Sequence, residues 1–223
     1  MSHSDDHETR ADVKAESVLL ERAIGGWRGI IDSGLPTMVF VGAYLALSSQ
    51  PIDRAILVAA SLAAAVGAVI AIIRLTRREP LQQVLAGFVG LAISAFFAWR
   101  TGRAENFFLP GLLTNLAYGT AFLIGNLVRW PLLGIAGGFL TGERTAWRKD
   151  VQLRRTYAAA SWLWVGVFYS RLLVQVPLYL AGAVAALGIV KVLMGWPLFL
   201  AGAYVTYRVL GPVLKARREK AQE

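Results

Sequence analysis

The chain consists of long apolar stretches separated by short loops that carry most of its charge. Residues 55–73, 81–99 and 107–128 contain no acidic or basic side chain at all. A hydrocarbon core of roughly 30 Å takes about 20 apolar residues of helix, at a rise of ~1.5 Å per residue. Each stretch is therefore long enough to cross a bilayer, and the sequence predicts that most of this chain is surrounded by lipid.

The composition agrees with a membrane protein, because 56% of the residues are hydrophobic and only 17% are charged. A net charge of +9 can indicate nucleic-acid binding. No basic cluster carries the interleaved aromatics or groove-reading motif of such proteins, so no nucleic-acid partner is expected. The absence of cysteine excludes disulfides, cysteine-bound zinc and thiol catalysis. Neither a metal nor another cofactor is predicted.

The pattern predicts an all-α, polytopic integral membrane protein with six transmembrane helices. The predicted spans are residues 30–48, 55–73, 81–99, 107–128, 157–180 and 189–207, which together form a transmembrane domain over residues 30–208. Residues 1–29 are predicted to be a cytoplasmic tail that contains an amphipathic helix lying on the membrane surface. Residues 209–223 form a basic cytoplasmic tail.

Two further segments interrupt the regular pattern after the fourth span. Residues 132–140 are apolar but too short to cross, so they either lie flat at the interface or dip partway into the membrane. Residues 141–156 form the most charged loop. Each Lys or Arg near a membrane surface adds about 1 kcal/mol of attraction to anionic lipid. This loop therefore predicts contacts with lipid headgroups through Arg144, Arg148, Lys149, Arg154 and Arg155, although it can equally serve only to fix the topology.

The distribution of positive charge predicts the orientation. In the six-span arrangement, most of the 23 Lys and Arg residues fall in loops and tails on the side of the two termini. Because cytoplasmic loops are enriched in Lys and Arg, both termini are predicted to be cytoplasmic. We therefore expect a multi-pass protein of the bacterial plasma membrane.

Two ionisable residues lie inside predicted spans, and each needs a physical reason because insertion of a charge costs about 2.5–3.5 kcal/mol. At ~1.5 Å per residue, Asp32 lies about 5 Å below the cytoplasmic edge and Arg171 about 20 Å below it. The two side chains are therefore not expected to pair.

The same depth estimate predicts two polar clusters. A candidate intramembrane polar site comprises Arg171, Thr114, Asn115 and Tyr118. A candidate cytoplasmic-side cluster comprises Asp32, Asn126 and Arg129. Such groups can simply tie helices together, line a path for a solute or proton, or take part in catalysis.

Catalytic motifs are missing from the sequence. It contains no His-Glu-x-x-His zinc motif, no Gly-x-Ser-x-Gly nucleophile elbow and no Gly-x-x-x-x-Gly-Lys-Ser/Thr phosphate loop. Asp32 is the only carboxylate within a predicted span, so a pair of intramembrane aspartates is not available for proteolysis. The chain is predicted not to be an enzyme.

Four strings within the spans and their loops resemble a known family. They are DSGLPTMVF at 32–40, TGRAENFFLP at 101–110, RWPLLG at 129–134 and RLLVQVPLY at 171–179. They are similar to a family of actinobacterial integral membrane proteins called domain of unknown function 3159. The resemblance covers about residues 30–208 and implies a multi-span inner-membrane protein without an assigned activity.

A more distant similarity is to the intracellular septation protein A family. That family has an Asp-x-x-Pro start to its first span, whereas Asp32 and Pro36 here are one residue further apart. This likeness implies a role in envelope synthesis or division through contacts with other membrane proteins or a second copy. The alternative hypothesis is a channel or carrier for an ion or small solute, with an anion best suited to Arg171.

Overall fold

The computed structural model describes residues 26–47, 49–78, 81–140 and 145–220, and all the regular structure in these ranges is helical. The side chains of residues 26–33, 83, 140 and 214–220 are not described. The predicted amphipathic segment before residue 26, the side chain of Asp32, and Arg144 therefore lie outside the described residues. Within them, the prediction of an all-α chain is confirmed.

The described residues form eight α-helices and two short 3-10 helices. The α-helices are α1 (Gly26–Ala46), α2 (Ile52–Thr76), α3 (Leu81–Thr101), α4 (Leu109–Leu127), α5 (Leu132–Leu140), α6 (Val151–Leu180), α7 (Val184–Leu193) and α8 (Trp196–Lys220). The 3-10 helices are Ala104–Phe108, which leads into α4, and Ala146–Arg148, which precedes α6.

Five helical segments are long and apolar enough to cross a membrane. They are Ile52–Thr76, Val84–Thr101, Ala104–Leu127, Val151–Leu180 and Val184–Val213. The part of α1 whose side chains are described is a shorter apolar helix, Gly34–Ala46. These helices suit a multi-pass membrane protein, while the count of six spans and the orientation of the termini stay predictions.

The fifth span begins earlier in the structure than its apolar stretch suggests. Helix α6 starts at Val151, inside the segment that the sequence assigns to a basic loop. The Asp150 side chain accepts hydrogen bonds from the backbone N–H groups of Gln152 and Leu153, at 2.9 and 3.0 Å. An aspartate in this position satisfies two donors that a helix start leaves free, so a charged first turn can precede the apolar part.

The last predicted span is not one continuous helix. A turn at Met194 and Gly195 separates α7 from α8, whereas the sequence predicts an unbroken span over residues 189–207. Pro197 has no N–H to donate to the carbonyl of Leu193, so the α-helical ladder cannot continue through this point. Proline is well accommodated in the first turn of the new helix, where that donor is not needed.

Small residues allow the first three helices to pack closely. The buried face of α2 contains Ile56 and Ala60 together with Ala55, Ala59, Ala63 and Gly67, which are spaced four residues apart. This spacing places them on one side of the helix, so that the neighbouring backbones can approach, as in other membrane helix pairs. The opposite side of α2 exposes large aliphatic side chains, among them Ile72.

Helix α1 runs antiparallel to α7 and holds the broken region against the rest of the bundle. A Cβ atom at Gly188 would lie 2.7 Å from Cγ2 of Val41, and one at Gly34 would lie 3.7 Å from Cγ2 of Val192. Phe40 of α1 stacks on Phe107 at 3.9 Å between ring centroids. Helices α4 and α6 pack along their lengths beside this group. These contacts bring α1, α4, α6 and α7 together around the turn between α7 and α8.

Candidate functional site

A cavity of about 450 Å³ lies at the break between α7 and α8, and α1, α4 and α6 complete its wall. Its polar lining residues are Thr37, Asn115, Arg171, Gln175 and Lys191, and its larger apolar ones are Phe108, Val192, Met194, Trp196 and Phe199. Two cationic side chains therefore share one largely apolar cavity. Among the described residues, no carboxylate lines it.

The guanidinium of Arg171 reaches the unwound backbone at the break. Its Nη2 atom donates a 2.7 Å hydrogen bond to the carbonyl oxygen of Gly195. The same carbonyl accepts the first backbone hydrogen bond of α8, from Phe199 N–H at 3.2 Å. Gly195 suits this tight turn because a Cβ there would lie 2.8 Å from the carbonyl oxygen of Lys191. The arginine and the glycine together define the geometry of the broken helix.

Arg171 keeps hydrogen-bonding capacity that the described residues do not use. Its Nη1 atom lies 3.5 Å from Oδ1 of Asn115, at the long limit for a hydrogen bond. Its Nε atom is buried and has no partner among the described residues. Asn115 is itself oriented by a 2.9 Å bond from Nδ2 to the Gly111 carbonyl. A ligand with acceptor oxygens would complete the set of bonds to this guanidinium.

Lys191 supplies the second cation of the cavity. Its Nζ atom lies 5.3 Å from the ring centroid of Phe108 and 5.4 Å from that of Phe107, within the range of a cation–π interaction. Within the part of the chain that the structure describes, it forms no ion pair and donates no hydrogen bond to an acceptor. Aromatic faces compensate the charge only in part, so this ammonium can also attract an anion.

The remaining polar groups give the cavity neutral donors and acceptors. Gln175 lies one helical turn beyond Arg171 on α6, and Thr37 lies on α1. Both residues are buried in the bundle. The described residues place no group of three or more His, Asp or Glu side chains where a metal ion would be held. The chemistry available at this site is electrostatic attraction and hydrogen bonding to an acceptor-rich ligand.

The structure brings together only part of the predicted intramembrane polar site. Arg171 and Asn115 meet at the cavity, whereas Thr114 and Tyr118 do not line it. The Thr114 hydroxyl donates to the Pro110 carbonyl at 2.8 Å on an exposed face of α4. The exposed Tyr118 ring stacks on Phe168 of α6. Residues predicted from the sequence to lie at the same depth in the membrane can therefore point to different sides of their helices.

The structure describes the side chains of only two members of the predicted cytoplasmic-side cluster. Asn126 donates from Nδ2 to the carbonyl oxygen of Ala158, at 3.1 Å, and so links α4 to α6. Its Oδ1 atom is buried without a partner among the described residues. Arg129 is exposed and adopts a left-handed backbone with φ of 60° in the turn after α4. The two residues do not share a hydrogen bond between side chains in this part of the structure.

The described members of the predicted headgroup site lie around the start of α6. Arg148 places its guanidinium carbon 4.0 Å from the ring centroid of Trp130. Lys149 and Arg155 are exposed, and Arg154 is half-buried. Beside them, Trp147 is fully buried against Tyr157, with 5.6 Å between the ring centroids. The aromatic packing connects this positively charged segment to the helical bundle.

Sequence reasoning missed several residues of the cavity, including Lys191, Gln175 and Gly195. Lys191 lies near the start of the predicted span 189–207, which is a position at the edge of the membrane. In the structure Lys191 belongs to α7, which begins earlier, at Val184, so that Lys191 lies deeper in the bundle. The string Met-Gly-Trp-Pro at 194–197 contains the signal, because Gly and Pro two residues apart commonly mark a helix break.

One comparison with known proteins relates this chain to others. No curated protein and no solved structure matches it. The profile of a family described as a protein of unknown function, DUF3159, matches residues 24–217, which include every lining residue of the cavity. The chain belongs to the DUF3159 family of proteins of unknown function.

Proposed function

We propose that this protein binds a small anion within the membrane and carries it across. One observation supports this function most strongly: Arg171 and Lys191 line a single cavity beside an interrupted helix, and no described carboxylate lines it with them. Charged residues at hydrocarbon depth are costly and commonly mark a solute or ion path. An anion that enters the cavity would neutralise the two cations and recover part of that cost.

The position of the helix break supports transport rather than a purely architectural role. Helix α7 contains 10 residues and is therefore about 15 Å long, close to half of a ~30 Å hydrocarbon core. Secondary transporters commonly place substrate sites near the midplane, where discontinuous helices expose backbone groups. A hinge of this kind also lets one half-helix move relative to the other.

The proposed membrane arrangement has six spans, with α1 as the first and α7 and α8 together as the last. Both termini are proposed to be cytoplasmic in a bacterial plasma membrane, because the basic loops fall on that side. The actinobacterial origin implied by the sequence resemblance belongs to the same proposal. The function proposed is not enzymatic and requires no cofactor.

A role in the cell envelope is the second proposal, and the basic surface around α6 supports it. Arg148, Lys149, Arg154 and Arg155 lie close together in the chain beside a rigid aromatic cluster, which suits anionic lipid headgroups. The distant resemblance to septation protein A adds the hypothesis of membrane-protein partners or self-association. Crosslinking in native membranes, with recovery of one specific partner, would support this role, and random capture would oppose it.

The transport proposal is tested by flux into liposomes that contain the purified protein. Chloride, phosphate and acetate are offered outside, and uptake of at least one above protein-free liposomes is expected. Lys191→Gln should lower that uptake about tenfold or more, since ~1.4 kcal/mol of lost attraction corresponds to a factor of ten.

The matched control is Arg100→Gln, which removes one positive charge from an exposed position at the end of α3. Its uptake should stay close to that of the unaltered chain. Anion uptake that is the same in Lys191→Gln and the unaltered chain would remove this cavity from the transport mechanism. Absence of uptake for chloride, phosphate and acetate alike would oppose the proposal as a whole.

A further inference from the structure

We infer that the anion of this cavity is an organic carboxylate with an apolar body, rather than a bare inorganic ion. This inference depends on the proposed anion site and names its class of ligand. It follows from the size of the cavity, from the separation of its charged and aromatic walls, and from the donors that Arg171 leaves unused.

The cavity is larger than an inorganic anion requires. Its volume of about 450 Å³ compares with the ~30 Å³ that one water molecule occupies in the liquid. Sites for small organic molecules typically range from ~300 to ~1,000 Å³ and are mostly apolar, with a few placed polar groups. An inorganic anion would leave most of the apolar wall in contact with water, whereas an organic body would cover it.

Two of the three aromatic lining residues lie beyond the helix break, whereas Lys191 lies before it and beside the third, Phe108. Lys191 lies one turn before Gly195 on α7, and Gln175 lies one turn beyond Arg171 on the antiparallel α6. Trp196 and Phe199 follow the break on α8, three residues apart and therefore on one helix face. A ligand between these walls would be charged at one end and apolar at the other.

Neighbouring rings pack against the aromatic wall. Phe199 packs edge-to-face against Trp164 of α6, with 5.1 Å between ring centroids, and against Trp196 at 6.1 Å. From Gly195 to Phe199 the helix rises about 6 Å, which is close to the length of a phenyl group. A carboxylate beside Arg171 can therefore place a ring or a short aliphatic chain along Phe199.

A carboxylate matches the unused donors at the charged end. Nη1 of Arg171 has only the 3.5 Å contact to Asn115, and Lys191 donates to no acceptor among the described residues. Carboxylate oxygens accept hydrogen bonds from arginine and from lysine, and such charge-assisted bonds are stronger than neutral ones. The geometry thus points to a monocarboxylate such as an aryl-acetate or a short fatty acid.

The test compares four probes on the unaltered protein in nanodiscs, by isothermal titration calorimetry with empty nanodiscs as the reference. The probes are phenylacetate, acetate, chloride and 2-phenylethanol, which is a neutral analogue of the first. Burial of one phenyl ring predicts that phenylacetate binds roughly 30-fold more tightly than acetate. Chloride should bind no better than acetate, and 2-phenylethanol should give no signal above the empty nanodiscs.

Two variants examine the walls separately. Phe199→Ala should reduce the preference for phenylacetate over acetate to about threefold, because most of the buried ring contact is lost. Lys191→Gln should weaken phenylacetate binding about tenfold. Phe88→Ala, an exposed position on α3 outside the cavity, should change neither affinity and controls for general effects of losing a ring.

The outcomes separate this inference from the proposed function. Equal affinity for phenylacetate, acetate and chloride would overturn the organic ligand while leaving the anion site intact. Binding of 2-phenylethanol as tightly as phenylacetate would show that the charge is not recognised and would overturn both. No binding of any anion would also overturn both. Because the four probes are compared on the unaltered chain, the test does not depend on whether either variant folds.

Discussion

Arg171 of α6 donates a 2.7 Å hydrogen bond to the carbonyl oxygen of Gly195, the residue at which the last apolar stretch breaks into α7 and α8. A side chain from one helix thus adds a second hydrogen bond to a backbone carbonyl at the break in another helix, beside the bond from Phe199 N–H. Non-helical backbone at membrane depth is tolerated only where protein or a water-filled cavity surrounds it. Both residues line the same cavity, so the break and the cation belong to one site.

Replacing Arg171 by Met should destabilise the protein as well as weaken anion uptake. The substitution removes the charge-assisted bond to Gly195, and hydrogen bonds between membrane helices contribute about 0.6–2 kcal/mol each. We expect a lower Tm in detergent for Arg171→Met and a smaller decrease for Arg171→Lys. Arg100→Met, at an exposed position on α3, is the matched control and should leave Tm nearly unchanged. Equal Tm values for Arg171→Met and the unaltered chain would contradict the role of this bond.

Gly195→Ala should disturb the break itself. A Cβ there would lie 2.8 Å from the Lys191 carbonyl oxygen and 3.3 Å from that of Val192, and these backbone atoms cannot move independently. We expect a loss of about 1–3 kcal/mol in the free energy of unfolding, typical of overpacking. Thermal unfolding in detergent measures it, together with anion uptake in liposomes.

The control for this substitution is Gly87→Ala in α3, where a Cβ would meet nothing within 4 Å. In the middle of a helix this change should be neutral or stabilise the protein by about 0.5–1 kcal/mol, because alanine restricts the unfolded chain. If Gly195→Ala were as stable as Gly87→Ala, the tight turn between α7 and α8 would not need glycine.

Tyr179→Phe should loosen the connection between α6 and the 3-10 helix that leads into α4. The Tyr179 hydroxyl donates to Oδ1 of the buried Asn106, whose Nδ2 atom donates to Oγ1 of Thr101 at 2.8 Å. Loss of the hydroxyl leaves the amide oxygen unsatisfied, at a cost of about 1–3 kcal/mol. The measurement is thermal unfolding. Tyr118→Phe removes an equivalent hydroxyl from an exposed ring, and a decrease as large there would refute the specific role of Tyr179.

The transmembrane segments were largely predictable because lipid imposes a direct rule on length and polarity. Helix α3 begins at residue 81, as its apolar stretch indicates, and α5 covers the short segment 132–140. The early start of α6 was not predicted, because a capping aspartate and a charged first turn carry no hydropathy signal. Hydropathy likewise does not register an interruption that glycine and proline impose within an apolar stretch, so α7 and α8 were predicted as one helix.

The candidate site was predictable only in part. Depth along a helix can be counted from the sequence, and that count led to the pairing of Arg171 with Asn115. The direction in which a side chain points depends on which helices are neighbours, and this order arises from contacts such as Gly188 against Val41. Lys191 was missed for this reason and because the span that contains it begins earlier than its apolar residues suggest.

The proposed orientation can be tested by labelling single cysteines, because the natural chain contains none. Ser49, exposed between α1 and α2, is expected on the outer side, and Thr145, exposed before α6, on the cytoplasmic side. A membrane-impermeant maleimide applied to intact bacteria should therefore label Ser49→Cys and spare Thr145→Cys. Both variants should react after the cells are permeabilised, which controls for burial of the thiol.

The reverse labelling pattern would indicate the opposite orientation in the membrane and would contradict the assignment of the basic loops to the cytoplasm. The proposed arrangement has three spans between residues 49 and 145. Labelling of both variants in intact cells would place both residues outside and would therefore contradict this odd number of crossings. The charge pattern predicts the outcome independently of the cavity, because positive residues near the ends of membrane helices are retained on the cytoplasmic side. This experiment therefore tests the membrane arrangement without depending on which anion, if any, the protein carries.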